Sequence, residues 1–139
     1  MEPTISRYYH LDVEVGPERI GQVERILAAH LRHWGLRTLV DPVCHCTRLL
    51  LRAIDEHGPD RTAVVEMWWA GQHLVTAVSD RNRQAPAERV PPEGLSRVAE
   101  WSDGWGRYPG PGGTTVWFSC RVRTADPVPT AIAAVPVAG

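Results

Sequence analysis

TAVVEMWWAGQHLVTAVS, at residues 62–79, is the stretch of this 139-residue chain that decides its fold. It contains two runs rich in β-branched and aromatic residues, Thr62–Trp69 and Gln72–Ser79, on either side of Ala70-Gly71. Such residues favour strands, and a short break containing glycine between two such runs is typical of a hairpin. The sequence therefore predicts two adjacent antiparallel strands.

A strand and two helices are predicted before this hairpin. Apolar and acidic residues alternate over Tyr8–Val15, which is the pattern of a half-buried strand. The first helix begins at Gly16-Pro17, because proline suits the first helical position, and Gly35 ends it after a run of apolar residues at helical spacing. The second helix is predicted to begin at Asp41-Pro42, with the aspartate as its N-cap, and to end at Gly58-Pro59.

The remaining sequence predicts one more helix and one more strand. Four segments follow the hairpin: a polar loop at Asp80–Pro92, a short helix at Gly94–Ser102, a turn at Pro109–Gly113 and a strand at Thr114–Arg123. The order β-α-α-β-β-loop-α-β predicts an α+β two-layer sandwich, in which helices cover one face of a mixed or antiparallel sheet. We expect a single domain over residues 1–123 and a disordered Ala/Pro-rich tail over 124–139.

Composition disfavours several classes of partner. The formal net charge is −1 and the arginines are spread along the chain, so no basic footprint for direct nucleic-acid binding is present. No apolar run approaches the roughly 20 residues that span a bilayer. The first residues lack the character of a secretion signal, and three cysteines make no disulfide framework. We therefore expect a cytoplasmic protein with reduced thiols and no membrane partner.

Cys44-His45-Cys46 resembles a metal cluster only at first sight. Residues i and i+2 of a helix point about 200° apart, so both thiolates cannot easily reach one ion. Zinc also needs four ligands, and no nearby Cys-x-x-Cys completes the set. We predict no metal site here, with one of the two cysteines in the core and His45 on the surface. The roles of Cys44, Cys46 and Cys120 stay open.

Three segments carry a family resemblance. The first leads from Val15-Gly16-Pro17 to Gly35-Leu36, the second is Leu74–Asp80, and the third joins Gly94-Leu95 and Trp105-Gly106 to Gly113–Phe118. Together they cover residues 8–123 in an order that resembles the anti-sigma-factor serine kinases, a branch of the histidine-kinase-like ATPase superfamily. The resemblance implies the fold of that superfamily.

The second helix departs from the family where the chemistry is done. In the family it carries a Glu, the proposed base for the substrate serine, then an Mg²⁺-ligating Asn four residues later and often a His after four more. The matching positions here are Arg48, Arg52 and Glu56, which still share one helical stripe. A guanidinium can neither accept a proton nor ligate Mg²⁺, so the resemblance implies a degenerate site without a catalytic base. The alternative is a solvated helix face on which Arg52 pairs with Glu56 or Asp55.

Other positions of the implied nucleotide cleft are only partly kept. Asp80 matches the carboxylate that holds adenine in the family, although a turn-forming role explains it equally well. The lid's Gly-x-Gly-Leu is reduced here, because Pro92 stands at its first glycine and removes a backbone N–H. The candidate cleft residues are Arg52, Glu56, Asp80, Gly94, Leu95 and Thr115. We expect neither ATP nor Mg²⁺ as a cofactor.

The leading hypothesis is a pseudokinase that regulates transcription by protein–protein binding. The resemblance implies a sigma factor or an anti-anti-sigma protein as its partner, and a homodimer as its oligomeric state. The first helix offers Arg19, Arg25 and Arg32 as an exposed basic surface for an acidic partner. Two alternatives stay open: an active ATP- and Mg²⁺-dependent protein serine kinase, and a small-ligand sensor that uses the former nucleotide cleft.

Overall fold

The computed structural model describes residues 7–57, 62–80, 92–110 and 113–122, without the side chains of 57, 92–94 and 108–110. Most of the predicted loop at Asp80–Pro92 and the predicted tail at 124–139 lie outside the described residues.

In the described ranges, strands and helices form two layers. The strands are β1 (Tyr8–Glu14), β2 (Thr62–Ala70), β3 (His73–Asp80), β4 (Gly104–Gly110) and β5 (Gly113–Arg121). They lie side by side in the order β1-β2-β3-β5-β4, and every neighbouring pair is antiparallel. The helices are α1 (Pro17–His33), α2 (Val40–His57) and α3 (Pro92–Trp101), with a 3-10 turn at Arg37–Leu39 before α2.

The hairpin that the sequence predicted is β2–β3. Its last cross-strand pair is Ala70 with His73, so the turn residues are Gly71 and Gln72 rather than Ala70-Gly71. Gly71 has a φ of 75°, a left-handed conformation that glycine adopts without steric cost. The strands were therefore predicted correctly and the turn was wrong by one residue.

The ends of α1 follow the sequence signals. Pro17 is its first residue, after the extended Gly16. At its other end Gly35 has a φ of 78°, and Leu36 N–H donates to Leu31 O at 2.8 Å. This is the Schellman arrangement, in which a left-handed glycine satisfies the last helical carbonyls.

The start of α2 differs from the prediction. The helix begins at Val40, directly after the 3-10 turn, so Asp41 lies within the first turn and is not the N-cap. The 3-10 turn supplies the entry into the helix, because Leu39 N–H donates to Leu36 O at 3.0 Å.

The strand β4 was not predicted from the sequence. Its residues include three glycines and a proline, a composition that indicates a loop. They form an edge strand because they pair with β5, where Gly106 lies opposite Trp117. A Cβ built on Gly106 would lie 2.7 Å from the Trp117 indole nitrogen, so the glycine makes room for the ring.

The core lies between one face of the sheet and the helices. Every second strand residue on that face is buried against helix residues such as Leu27, Leu31 and Leu50. The buried strand residues are Val13, Ala63, Val65, Met67, Leu74, Val78, Val116, Phe118 and Cys120. The α+β fold with helices on one face of the sheet is confirmed. None of the described helices is long and apolar enough to cross a bilayer.

Candidate functional site

Arg48, at the position implied for the family's base, joins α2 to α1. Its Nη1 donates to both carboxylate oxygens of Glu24 on α1, at 3.3 Å each. Its Nη2 donates to Nδ1 of His45 at 2.9 Å. The pair is partly shielded, because the Arg48 and Glu24 side chains are only 34% and 25% exposed. Arg48 is therefore held in a defined orientation rather than extended into solvent.

His45 extends this contact toward α3. Its ring lies against the Trp101 ring, with centroids 4.3 Å apart and planes inclined by 34°. Desolvation lowers the pKa of His45, and the charges of Arg48 and Arg97 lower it further. A neutral imidazole can accept a hydrogen bond from Arg48, which an imidazolium cannot. The expectation that His45 is a plain surface residue was wrong, since its ring is half-buried between two partners.

A groove of about 440 Å³ lies between α1 and α2. Its lining is mostly charged and consists of Pro17, Ile20, Gly21, Glu24, Arg48, Arg52, Asp55 and Glu56. The structure thus brings together Arg48, Arg52 and Glu56, the three residues of the predicted helical stripe, and adds the carboxylate of Glu24 from α1. Gly21 leaves space in the groove where a larger side chain would stand.

Asp80 lies elsewhere, at the end of β3. The β3–β5 register pairs it with Thr114, and each is only 6% exposed on the helix-covered face of the sheet. Thr115, the residue chosen from the sequence, belongs to the opposite face, where its hydroxyl lies 2.9 Å from that of Ser79. Thr114 is therefore the threonine that shares a face with Asp80.

The two lid positions lie in α3. Leu95 is 9% exposed and belongs to the core, and Gly94 is in the first turn of the helix. Neither they nor Asp80 and Thr115 are among the described residues that line the α1–α2 groove. The sequence-predicted site residues are thus divided between that groove, the end of β3 and the start of α3.

The thiols of Cys44 and Cys46 point to different helices. Cys44 Sγ donates to Glu24 O on α1 at 3.5 Å, and Cys46 Sγ donates to Val98 O on α3 at 3.9 Å. Burial raises the pKa of Cys44 to about 11, with Glu24 and Asp41 contributing, and raises that of Cys46 to about 12. Within the described ranges, no group of three or more His, Cys, Asp or Glu side chains could hold a metal ion.

Sequence reasoning missed Glu24 and Thr114. Glu24 lies 24 residues before Arg48, and nothing local joins the two, so only the packing of α1 on α2 reveals the ion pair. Thr114 had a usable signal, because alternation along β5 places it on the same face as Val116 and Phe118.

Comparison with known proteins shows the fold. The chain is similar to a crystal structure of the RsbU and RsbW domains of Rv1364c from Mycobacterium tuberculosis, with a TM-score of 0.63 and 20% identity. The match covers 81% of this chain and 32% of that one, so this chain spans about a third of the length of that structure. No family model matches the chain, and no curated protein matches it. This likeness shows the fold alone: the chain is an α+β domain whose fold resembles part of that RsbU/RsbW structure, in agreement with the predicted fold class.

Proposed function

We propose that this protein is a regulator of the anti-sigma-factor type that acts by binding a protein partner and has a catalytically silent nucleotide site. The observation that carries the proposal is the fixed position of Arg48. Glu24 and His45 hold its guanidinium on the stripe where the family resemblance puts the base. A guanidinium stays protonated at any physiological pH, so it cannot deprotonate a serine.

Arg52 supports the proposal that the site does not bind Mg²⁺. It occupies the position implied for the Mg²⁺-ligating Asn and is exposed at the groove. Mg²⁺ takes oxygen ligands, and a second cation at this position repels it. In the proposed function the protein therefore uses neither ATP nor Mg²⁺ as a cofactor.

The proposed partner surface is the exposed, arginine-bearing side of α1. Arg19, Arg25 and Arg32 are exposed along this helix. Exposed cationic side chains steer an acidic partner and give salt-dependent association. The RsbW-like fold and the family resemblance support a sigma factor or an anti-anti-sigma protein as that partner, in the cytoplasm.

The partner surface is tested with charge reversals. We expect Arg19→Glu, Arg25→Glu and Arg32→Glu each to reduce recovery of the partner in pull-downs from the native cell extract, and high salt to reduce recovery by the wild type. Arg121→Glu makes the same change in charge on β5 and is the matched control, because Arg121 is exposed at the opposite layer. Equal recovery by all four variants would exclude the α1 face.

The silent site is tested with labelled ATP. We expect no transfer of phosphate to a co-purified partner and no Mg²⁺-dependent binding of ATP in calorimetry. Micromolar binding that requires Mg²⁺, or phosphate transfer, would contradict the proposal and favour an active serine kinase.

One observation favours a second candidate, a protein that still binds a nucleotide or another small ligand. The buried pair Asp80 and Thr114 keeps a carboxylate and a hydroxyl together on the helix-covered face, at the position that the resemblance assigns to adenine. Binding of adenosine or ADP without Mg²⁺, abolished by Asp80→Asn, would establish it. Thr115→Val is the matched control, since Thr115 lies on the other face.

A restoration experiment tests whether the helical stripe is the former phosphate site. The change Arg48→Glu alone would place two carboxylates at the α1–α2 contact, so it is combined with Glu24→Gln and Arg52→Asn. If the helical stripe is the former phosphate site, this triple variant gains Mg²⁺-dependent ATP binding over the parent. A folded triple variant without any gain would show that the stripe never faced the nucleotide.

A further inference from the structure

The face of the sheet that the described helices leave uncovered carries a row of apolar side chains. The strand registers set Tyr8 opposite Trp68 and Trp68 opposite Val75, so these three residues form one row across β1, β2 and β3. They alternate with residues such as Met67 and Leu74, which are buried in the core on the other face. Tyr8 is 52% exposed, and Trp68 and Val75 are partly exposed. Neighbouring apolar groups that remain exposed mark an interaction surface, whereas scattered single ones do not.

The ring of Tyr8 is held in place within this apolar row. Its hydroxyl donates to the Glu66 carboxylate at 2.6 Å, across the β1–β2 pair. Glu66 lies two residues before Trp68 on the same face of β2. A ligand therefore meets a phenol ring that is already tied to β2, and binding loses less free energy to the ordering of that side chain.

Carboxylates lie beside the apolar row on the same face. Asp12 and Glu14 of β1 are exposed there, and Glu66 of β2 is partly exposed. His10 is the basic group among them, 3.5 Å from the Asp12 carboxylate and 3.8 Å from that of Glu66. The strands β1, β2 and β3 contain no lysine or arginine. This part of the face therefore complements a segment that carries positive charge.

The backbone of β2 has no hydrogen-bonding groups to offer a ligand on this face. Its N–H and C=O groups form ladders with β1 on one side and β3 on the other. A peptide on the face must therefore keep its own backbone groups in water while its side chains contact the apolar row. A polyproline II helix meets this requirement, because its backbone is fully solvated and its prolines pack on aromatic side chains.

We propose that the open face of the sheet at Tyr8, Trp68 and Val75 binds a basic, proline-rich segment of a protein partner in the polyproline II conformation. The prolines of that segment pack on the Tyr8 and Trp68 rings. Its arginine or lysine side chains reach the carboxylates of Glu66 and Asp12, so the face excludes an acidic segment by charge. This surface is separate from the proposed partner surface on α1, because α1 packs on the other face of the sheet.

The first test compares three labelled synthetic peptides by fluorescence anisotropy with the full chain. The probe is decaproline with two arginines at each end. One control is decaproline with two glutamates at each end, and the other is a glycine-serine decapeptide with two arginines at each end. The probe is expected to bind about tenfold or more tightly than either control, and more weakly as the salt concentration rises. Equal binding of the probe and either control overturns the proposal, as does a probe that shows no saturable binding at millimolar concentration.

Two alanine variants locate the binding on the sheet. Trp68→Ala and Tyr8→Ala are each expected to weaken binding of the probe by about fivefold or more. Tyr8→Ala decides the matter if Trp68→Ala does not fold, because Tyr8 is exposed at the start of β1. Trp105→Ala is the matched control and leaves the affinity unchanged, since Trp105 is also exposed but pairs with Phe118 on the helix-covered face. Undiminished binding by folded Tyr8→Ala overturns the proposal.

A charge variant tests the acidic part of the surface. Glu66→Gln keeps an acceptor for the Tyr8 hydroxyl and removes one negative charge, so it is expected to weaken binding of the probe and to reduce its dependence on salt. An unchanged affinity and salt dependence would overturn the charge complementarity. Self-association that Tyr8→Ala abolishes, in a protein that does not bind the probe, would assign the face to a second copy of the chain and overturn the proposal.

Discussion

Replacing Thr76 by valine should stabilise the protein. Thr76 lies on the core face of β3, is fully buried, and its register partners are Met67 and Phe118. Its hydroxyl has no hydrogen-bond partner among the described residues. Burying such a hydroxyl costs about 1–3 kcal/mol in proteins, and valine has nearly the same shape without that cost. We therefore expect Thr76→Val to raise the free energy of unfolding by about 1–2 kcal/mol.

Thr115→Val is the matched control on the opposite face of the sheet. The Thr115 hydroxyl lies 2.9 Å from the Ser79 hydroxyl, so the valine leaves Ser79 without this partner. We expect a loss of roughly 0.5–1.5 kcal/mol, the net contribution of one hydrogen bond. Both variants are measured by urea unfolding, with the slope m checked for constancy. A loss of stability in Thr76→Val would contradict this prediction and show that a buried water satisfies the Thr76 hydroxyl.

Three further predictions follow from the geometry. Gly106→Ala should lower the free energy of unfolding by about 1–3 kcal/mol, because the alanine Cβ would lie 2.7 Å from the Trp117 indole nitrogen. The assay is urea unfolding, and an unchanged midpoint would contradict the prediction and show that the ring moves aside. The pKa of His45 is lowered in the folded protein, so the unfolded state binds the proton more readily and the free energy of unfolding should fall as the pH drops below about 6.5. His45→Gln should flatten this fall, and parallel profiles of the free energy of unfolding against pH for the two proteins would contradict the prediction. Burial raises the pKa values of Cys44 and Cys46, so both stay as unreactive thiols at pH 8. Iodoacetamide should therefore modify neither residue until the protein unfolds. Detection of either modified cysteine in the native protein by mass spectrometry would contradict this prediction.

The sequence by itself determined the elements with a strong local signal. The alternation in β1, the runs rich in β-branched and aromatic residues in β2 and β3, the helical spacing in α1 and the stop at Gly35 predicted these elements within a residue or two, because these signals are local properties of the chain. The same signals, taken in order, predicted the α+β class. They also predicted that Arg48, Arg52 and Glu56 share a stripe, since positions four residues apart on a helix are neighbours.

Tertiary structure alone decided the rest. The glycines and the proline of β4 hide its strand propensity in the sequence, and its pairing with β5 reveals the strand. Alternation along β5 is a local signal for the face that Thr114 shares with Val116 and Phe118, but only the register of β3 on β5 places Thr114 beside Asp80. Arg48 is held by Glu24 because α1 packs on α2, and a contact between distant parts of a chain leaves no local pattern in the sequence.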